Sequence, residues 1–237
     1  FCCLLLSIPQ VALAVSLNSE PLVSNPLGTV LSTQQGLKQD SIQDLLIDND
    51  SFLWIATEGG LDRFDGHRVE HIAGEDGLLA STPIQNLFLD SKNRLWISTF
   101  YRGLYQLDLA TNKLRLVMEL PQLEITEYNQ TAVQFIEMAN SDMLVLFDQS
   151  LVFYDTSNDS HEVLYQVNLQ DKDRAPYFRD MLLVDNMLLI ASSEGLMLAD
   201  YSAQQLTFKD IEHRVDEDFN FDNGNTKRLF LDDDGAL

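Results

Sequence analysis

Cysteine is nearly absent from the chain: the only two, Cys2 and Cys3, stand side by side in the apolar segment that opens the sequence. Residues 1–14 read FCCLLLSIPQVALA, which ends in the small-x-small pattern that precedes a signal-peptidase cut. Polar residues and a proline interrupt this stretch, so it is poorly suited to spanning a bilayer. We predict a signal peptide over 1–14 whose true start is missing, with a buried first strand or helix as the alternative, and a leading segment over 15–35. Removal of the signal peptide would leave no cysteine for disulfides or thiolate metal sites.

Basic residues are also scarce, since 15 Lys and Arg stand against 37 Asp and Glu and the formal net charge is −22. A field of this sign repels phosphate backbones and anionic lipid head groups. We therefore expect no nucleic-acid partner and no direct membrane contact by this segment. The longest later apolar stretch, residues 181–191, is short and contains Asp185 and Asn186, so we predict no transmembrane helix there.

The familiar catalytic and cofactor signatures are missing. The sequence contains no GxSxG, HExxH, GxxxxGK or GxGxxG pattern. His67 and His71 are four residues apart on a predicted outer strand, which separates them by about 13 Å and prevents them from sharing one metal. We predict no catalytic residue, no metal site and no cofactor in this chain.

What the sequence does contain is a repeat. Residues 41–61 (SIQDLLIDNDSFLWIATEGGL) and 83–104 (PIQNLFLDSKNRLWISTFYRGL) share one pattern, and fainter copies follow over 133–155, 190–196 and 226–237. Three matched pairs are 42 residues apart, and a glycine pair is 43 apart because the second copy has one inserted residue. The pairs are Ile42 with Ile84, Asp48 with Asp90, Trp54 with Trp96, and Gly60 with Gly103.

Each copy reads as four short strands. Apolar runs of four to seven residues alternate with Asp, Asn, Ser and Gly turns, and no long helical pattern intervenes. Four strands every 40 to 45 residues are typical of propeller blades. We therefore predict an all-β fold, a β-propeller of four-stranded blades of about 42 residues. It occupies residues 36–237 and is incomplete, with about four blades and part of a fifth.

The repeated residues have clear structural roles in such a blade. Residues 42–47 are predicted to form the innermost strand (strand a), packed on both sides. Asp48 and Asp90 are expected to shape the turn between strands a and b. The two tryptophans are large enough to fill the wedge between neighbouring blades. The two glycines, which have no side chain, allow a tight turn between strands b and c. These residues are Trp54, Trp96, Gly60 and Gly103.

The motifs LWIATEGGLDRFDG and RLWISTFYRGLYQLD closely resemble the two-component-regulator propeller repeat. The resemblance is strong over residues 36–109 and departs from the family at Ser51 and Arg94, where the family usually has glycine. It implies the periplasmic sensing region of a self-associating bacterial receptor, anchored by a downstream helix, with a histidine kinase or diguanylate cyclase output elsewhere. This segment itself would not be an enzyme. The alternatives are an extracytoplasmic propeller enzyme, such as a lyase or glycan-cleaving enzyme, and a protein-interaction scaffold.

The predicted binding surface is the propeller face that carries the b–c turns and the connections between blades. Phe100, Tyr101 and Arg102 offer two aromatic rings and a guanidinium group, which suit a small polar or carbohydrate-like ligand. Glu58 occupies the equivalent turn of the preceding copy. The alternative is that these residues form ordinary turns.

Overall fold

A computed structural model describes residues 30–74, 77–119, 131–167, 177–202, 205–209 and 229. The predicted signal peptide over 1–14, most of the leading segment and nearly all of the fifth copy lie outside these residues. The described chain is built of strands and one short 3-10 helix, Thr33–Gln35. None of its described helices is both long enough and apolar enough to cross a bilayer.

The described strands form four antiparallel four-stranded sheets, each following the order of the chain. These sheets are the blades. Blade 1 contains β1 (Ile42–Ile47), β2 (Leu53–Thr57), β3 (Gly60–Phe64) and β4 (Val69–Ile72). Blade 2 contains β5 (Ile84–Leu89), β6 (Arg94–Thr99), β7 (Leu104–Asp108) and β8 (Lys113–Met118). Blade 3 contains β9 (Ala132–Glu137), β10 (Met143–Phe147), β11 (Ser150–Asp155) and β12 (Ser160–Gln166). Blade 4 contains β13 (Phe178–Val184), β14 (Met187–Ser192), β15 (Gly195–Ser202) and β16 (Gln205–Lys209).

The blades pack side by side, as in a propeller. Their first strands contact one another in the order β1, β5, β9, β13, and three separate apolar cores lie between successive blades. The described sheets do not close into a ring. The predicted fold class is therefore confirmed: the chain is an all-β, incomplete propeller.

The two tryptophans lie in these cores. Trp54 belongs to the core between blades 1 and 2, and Trp96 to the core between blades 2 and 3. Each indole nitrogen donates a hydrogen bond of 2.8 Å to the carboxylate of Asp48 or Asp90. The other oxygen of each carboxylate accepts two backbone N–H groups of the a–b turn. The Asp–Trp pair therefore joins the turn to the wedge between blades.

Two details differ from the sequence interpretation. Strand β1 is not packed on both sides: Ile42, Leu45 and Ile47 are 43, 55 and 69% exposed, because blade 2 covers only one face of this sheet. In the a–b turns of blades 1 and 2 the residues with left-handed backbone are Ser51 and Asn93, with φ of 68° and 60°. The residue that aligns with Ser51 is thus Asn93, and the assignment of Arg94 to that position was wrong by one residue.

Candidate ligand-binding face and central channel

The b–c turns of all four blades and the described ends of the connections between blades lie at one end of the sheets, here called the loop face. The b–c turns span residues 58–59, 100–103, 148–149 and 193–194. All the predicted ligand-binding residues lie in the first two of these turns.

The turn in blade 2 presents two aromatic rings. The ring centroids of Phe100 and Tyr101 are 5.8 Å apart at 39°, and Tyr101 is 66% exposed. Arg102 is exposed beside them. The backbone N–H of Phe100 bonds to the Pro83 carbonyl, and that of Arg102 bonds to the Thr99 hydroxyl. The backbone of this turn is fixed by these hydrogen bonds, and it holds the Tyr101 ring and the Arg102 guanidinium group toward solvent while Phe100 is half-buried.

Glu58 lies in a separate turn. Its two carboxylate oxygens accept long hydrogen bonds from Gln39 at 3.5 Å and Gln43 at 3.4 Å. Glu58 therefore contacts residues in and just before blade 1, whereas the rings of Phe100 and Tyr101 contact each other in blade 2. The structure places the predicted residues on one face but in two different turns.

Gly103 shows why the second turn needs glycine. Its φ is 103°, and a β-carbon added there would lie 2.3 Å from the carbonyl oxygen of Met118. Such a distance is a clash with backbone, which cannot move aside as a flexible side chain can. At Gly60 (φ 138°) the corresponding approach is milder, 3.3 Å from the carbonyl oxygen of Leu79. At Gly60 the neighbouring carbonyl belongs to the connection between blades 1 and 2, whereas at Gly103 it belongs to the last residue of β8.

Asp148 is a half-buried acid in the third b–c turn. Burial raises the pKa of its carboxyl to about 6, and hydrogen bonds from the backbone N–H and hydroxyl of Thr131 only partly oppose this. The backbone carbonyl of Asp148 accepts the N–H of Phe178, the first residue of β13. The sequence analysis did not select this residue, and the only available signal was its place just after an apolar strand.

A series of polar side chains lines the channel beside the first strands. Each is the third residue of its strand and reaches toward the next blade. Asp44 accepts the N–H of Leu87, and the Asn86 amide donates to the carbonyl of Val133. Gln134 donates to Asp180, whose other oxygen accepts the N–H of Leu229. We call these four residues the inter-blade latches: Asp44, Asn86, Gln134 and Asp180.

The latches border a cavity of about 380 Å³. Arg179 also lines it, and its guanidinium group donates to the Tyr177 hydroxyl at 2.9 Å while lying 4.9 Å from that ring. The channel wall therefore combines carboxylates, amides and a cation, a set that suits a small polar ligand. Within the described residues, no three His, Cys, Asp or Glu side chains form a group able to hold a metal ion.

Asp62, unlike the channel residues, makes contacts that hold the fold together. Its side chain is fully buried on β3, where one oxygen contacts His71 Nδ1 at 2.6 Å and the other accepts the N–H of Lys38 at 2.8 Å. It therefore ties the segment before blade 1 to the third strand of that blade. His67, predicted to share a strand with His71, lies in the turn that precedes β4.

The family described as two component regulator propeller matches residues 36–59 and 78–101. These segments contain the first two strands of blade 1 and of blade 2, with the Asp–Trp pair of each. Blades 1 and 2 carry the two component regulator propeller repeat. Blades 3 and 4 lie outside the matched residues, and there leucine stands in place of tryptophan at the same register positions, at Leu144 and Leu189.

Solved structures share the fold of this chain. One is the extracellular domain of BT4673 from B. thetaiotaomicron, which is named as a hybrid two component system and also as a one component system. It is 14% identical with a TM-score of 0.66, and the match covers 89% of this chain and 26% of that domain. The extracellular domain of BT3049 from B. thetaiotaomicron, named as a hybrid two component system, is 18% identical with a TM-score of 0.58, over 77% and 26%. A streptogramin B lyase is 12% identical with a TM-score of 0.53, over 74% and 56%. The chain thus spans about a quarter of the first two domains, and no curated protein matches it.

Proposed function

We propose that this chain is part of the extracytoplasmic, ligand-sensing propeller of a bacterial transmembrane signalling receptor. The observation that carries the proposal is the two component regulator propeller repeat on blades 1 and 2. The fold shared with extracellular domains named as parts of two component systems supports it. In this reading the chain binds and does not catalyse, and a histidine kinase or diguanylate cyclase output follows elsewhere in the protein.

The proposed binding surface is the loop face with the mouth of the channel. Tyr101 offers an exposed ring against which a sugar ring stacks, the half-buried ring of Phe100 lies beside it, and Arg102 offers donors for hydroxyl oxygens. The excess of acidic residues disfavours anionic ligands, so a neutral carbohydrate-like molecule is the class we propose.

Signalling requires the ligand to favour one arrangement of the receptor over another. A coupling of about 1–3 kcal/mol is sufficient for a 5- to 150-fold effect. The inter-blade latches connect neighbouring blades through single hydrogen bonds near the channel, so a ligand that bridges two blades there changes their relative stability. The receptor is proposed to self-associate, and the output domain would report that change.

Binding is tested with neutral oligosaccharides, for example maltoheptaose and xylohexaose, by isothermal titration calorimetry. Tyr101→Ala with Arg102→Ala is expected to weaken binding at least tenfold, because ring stacking and two or more donors are lost. His67→Ala, in an exposed turn at the opposite end of blade 1, is the matched control and is expected to bind normally. Unchanged affinity in the double variant would remove the loop face from the proposal.

The receptor assignment has its own test, the gene sequence beyond Leu237. We expect further repeats, a transmembrane helix and a kinase or cyclase domain. A propeller that ends without a membrane span would favour the alternatives, an extracytoplasmic lyase-like or glycan-cleaving enzyme or an interaction scaffold.

A further inference from the structure

The wedge between blades 3 and 4 lacks the Asp–Trp pair found in the other two wedges. In blade 3 the position equivalent to Trp96 is Leu144. Trp96 on β6 lies opposite Phe88 on the first strand and Gln106 on the third strand of its blade. Leu144 on β10 lies opposite Ile136 and Phe153 in the same way. The carboxylate that accepts the indole hydrogen is missing as well, because Met138 follows β9 where Asp90 follows β5.

The facing side of the wedge is also smaller. Tyr154 of blade 3 meets Trp96 edge to face, with ring centroids 5.4 Å apart at 81°. Tyr154 pairs with Met143, and the residue with the equivalent register in blade 4 is Ala199, which pairs with Leu188. Protein interiors are normally packed as densely as organic crystals. Phe153 and Tyr201 fill part of the volume that an indole and a phenol would occupy, and their rings line the space that remains.

A cleft of about 410 Å³ lies in this wedge. It is at the end of the blades opposite the loop face, between the a–b turns of blades 3 and 4. Its walls are Met138 and the ring of Phe153 on one side and the ring of Tyr201 on the other, with Asn140, Asn186 and Ser202 at the rim. A tryptophan at 144 that adopted the conformation of Trp96 would direct its indole toward residue 138, which lines the cleft.

The cleft contains a polar group with unused hydrogen-bonding capacity. Tyr201 is only 6% exposed, and its buried hydroxyl has no hydrogen-bond partner in the described part of the chain. By contrast, the hydroxyl of Tyr154 in the neighbouring wedge has partners: it accepts a hydrogen bond from Arg115 at 3.1 Å and donates one to Asp159. At the register of Arg115, blade 3 has Glu162, which offers no hydrogen to a phenol oxygen. A buried hydroxyl without a partner is costly, so a ligand that supplies one gains affinity.

We propose that this cleft binds a neutral or cationic heteroaromatic molecule about the size of indole. The indoles of Trp54 and Trp96 show which shape fits a wedge of this propeller. The methionine thioether and the two rings favour an aromatic face, and the tyrosine hydroxyl and the rim amides favour a ring nitrogen or amino group. Asp142, Glu162 and Asp185 in or beside the cleft disfavour an anion. This second site is independent of the sensing function proposed for the loop face.

The test measures binding of three probes to the full chain by calorimetry and saturation-transfer NMR: indole, the cation tryptamine and the anion indole-3-acetate. Indole is expected to bind saturably with a Kd on the order of 0.1–1 mM, as befits about nine non-hydrogen atoms. Tryptamine is expected to bind at least as tightly, and indole-3-acetate roughly tenfold more weakly because of the nearby carboxylates.

Two variants locate the site. Leu144→Trp with Met138→Asp rebuilds the pair present in blades 1 and 2, and it is expected to weaken indole binding more than tenfold while near-UV circular dichroism shows a folded chain. Tyr201→Phe retains the ring and removes the hydroxyl, and it is expected to weaken binding roughly fivefold. Tyr165→Phe is the matched control, because Tyr165 packs in the same interface but outside the cleft.

Three results would overturn the proposal. They are the absence of saturable binding by all three probes, full affinity in the folded Leu144→Trp, Met138→Asp variant, and equal losses in Tyr201→Phe and Tyr165→Phe. Loss of indole binding in Tyr101→Ala instead would place the molecule on the loop face. Oligosaccharide binding is measured separately, so failure of either site leaves the other result standing.

Discussion

Replacing Asp148 by Asn should stabilise the fold near neutral pH. The raised pKa of about 6 means that burial penalises the charged carboxylate in the third b–c turn. Asparagine has nearly the same shape, and its carbonyl oxygen can accept the same hydrogen bonds from Thr131. The substitution therefore removes the cost of burying a charge without removing a packing contact.

The sign and size follow from linkage. Between the unfolded pKa of 3.8 and the folded pKa of about 6, the folded state binds more protons, so this residue makes stability fall as pH rises. The difference of about 2 pH units corresponds to an upper limit near 3 kcal/mol, fully present as a penalty above pH 6. We expect Asp148→Asn to gain about 1–3 kcal/mol at pH 7.5 and only a few tenths of a kcal/mol at pH 3.5, where the aspartate is largely protonated in both states.

Urea unfolding followed by tryptophan fluorescence measures this difference at pH 3.5, 5, 6 and 7.5. Comparing the variant with the parent chain at each pH cancels the titration of the other carboxylates. Asp155→Asn is a useful contrast, because hydrogen bonds from Ser157 and Asn158 lower the pKa of Asp155 to about 2 and its loss should destabilise at pH 7.5. An Asp148→Asn difference that is constant across this pH range, or destabilising at pH 7.5, would refute the reasoning.

Three further predictions use the same unfolding assay. Trp96→Leu should cost about 3 kcal/mol, because it opens a cavity in a fully buried wedge and leaves Asp90 without its indole donor; a cost below about 1 kcal/mol would contradict this. Asp180→Ala should cost about 1–3 kcal/mol by removing the acceptor of the Gln134 latch, and a neutral result would show that the latches do not stabilise the array. Gly103→Ala should cost clearly more than Gly66→Ala, since both glycines have positive φ but only the first has backbone in the way; equal costs would rule out the clash.

The fold could be predicted because the repeat makes its structural requirements visible twice. Trp54 and Trp96 recur at a fixed distance together with Asp48 and Asp90, and each pair turns out to join one a–b turn to one wedge. The repeat did not predict how exposed to solvent each apolar side chain is. The apolar residues of β1 predict burial on both faces, but several of them are exposed. Burial depends on whether a neighbouring sheet is present, and the sequence of one strand does not indicate this.

The channel wall was harder to predict than the strands. The inter-blade latches are Asp, Asn, Gln and Asp, so their shared feature is position in the strand and reach, not residue type. Their separations are also unequal, because the later blades have longer or shorter turns and connections than the first two. Only register and the contact between neighbouring first strands bring them together.

The weakening of the repeat along the chain is itself informative about function. A sequence search measures how well a blade matches the pattern, and the pattern is mainly the set of residues that fill wedges. Blade 3 departs from it at Met138 and Leu144, and Met138 lines a cleft that also contains a buried tyrosine hydroxyl. In a repeat protein, strong matches mark positions used for packing, so positions that are free to bind something else are best sought where the match fails.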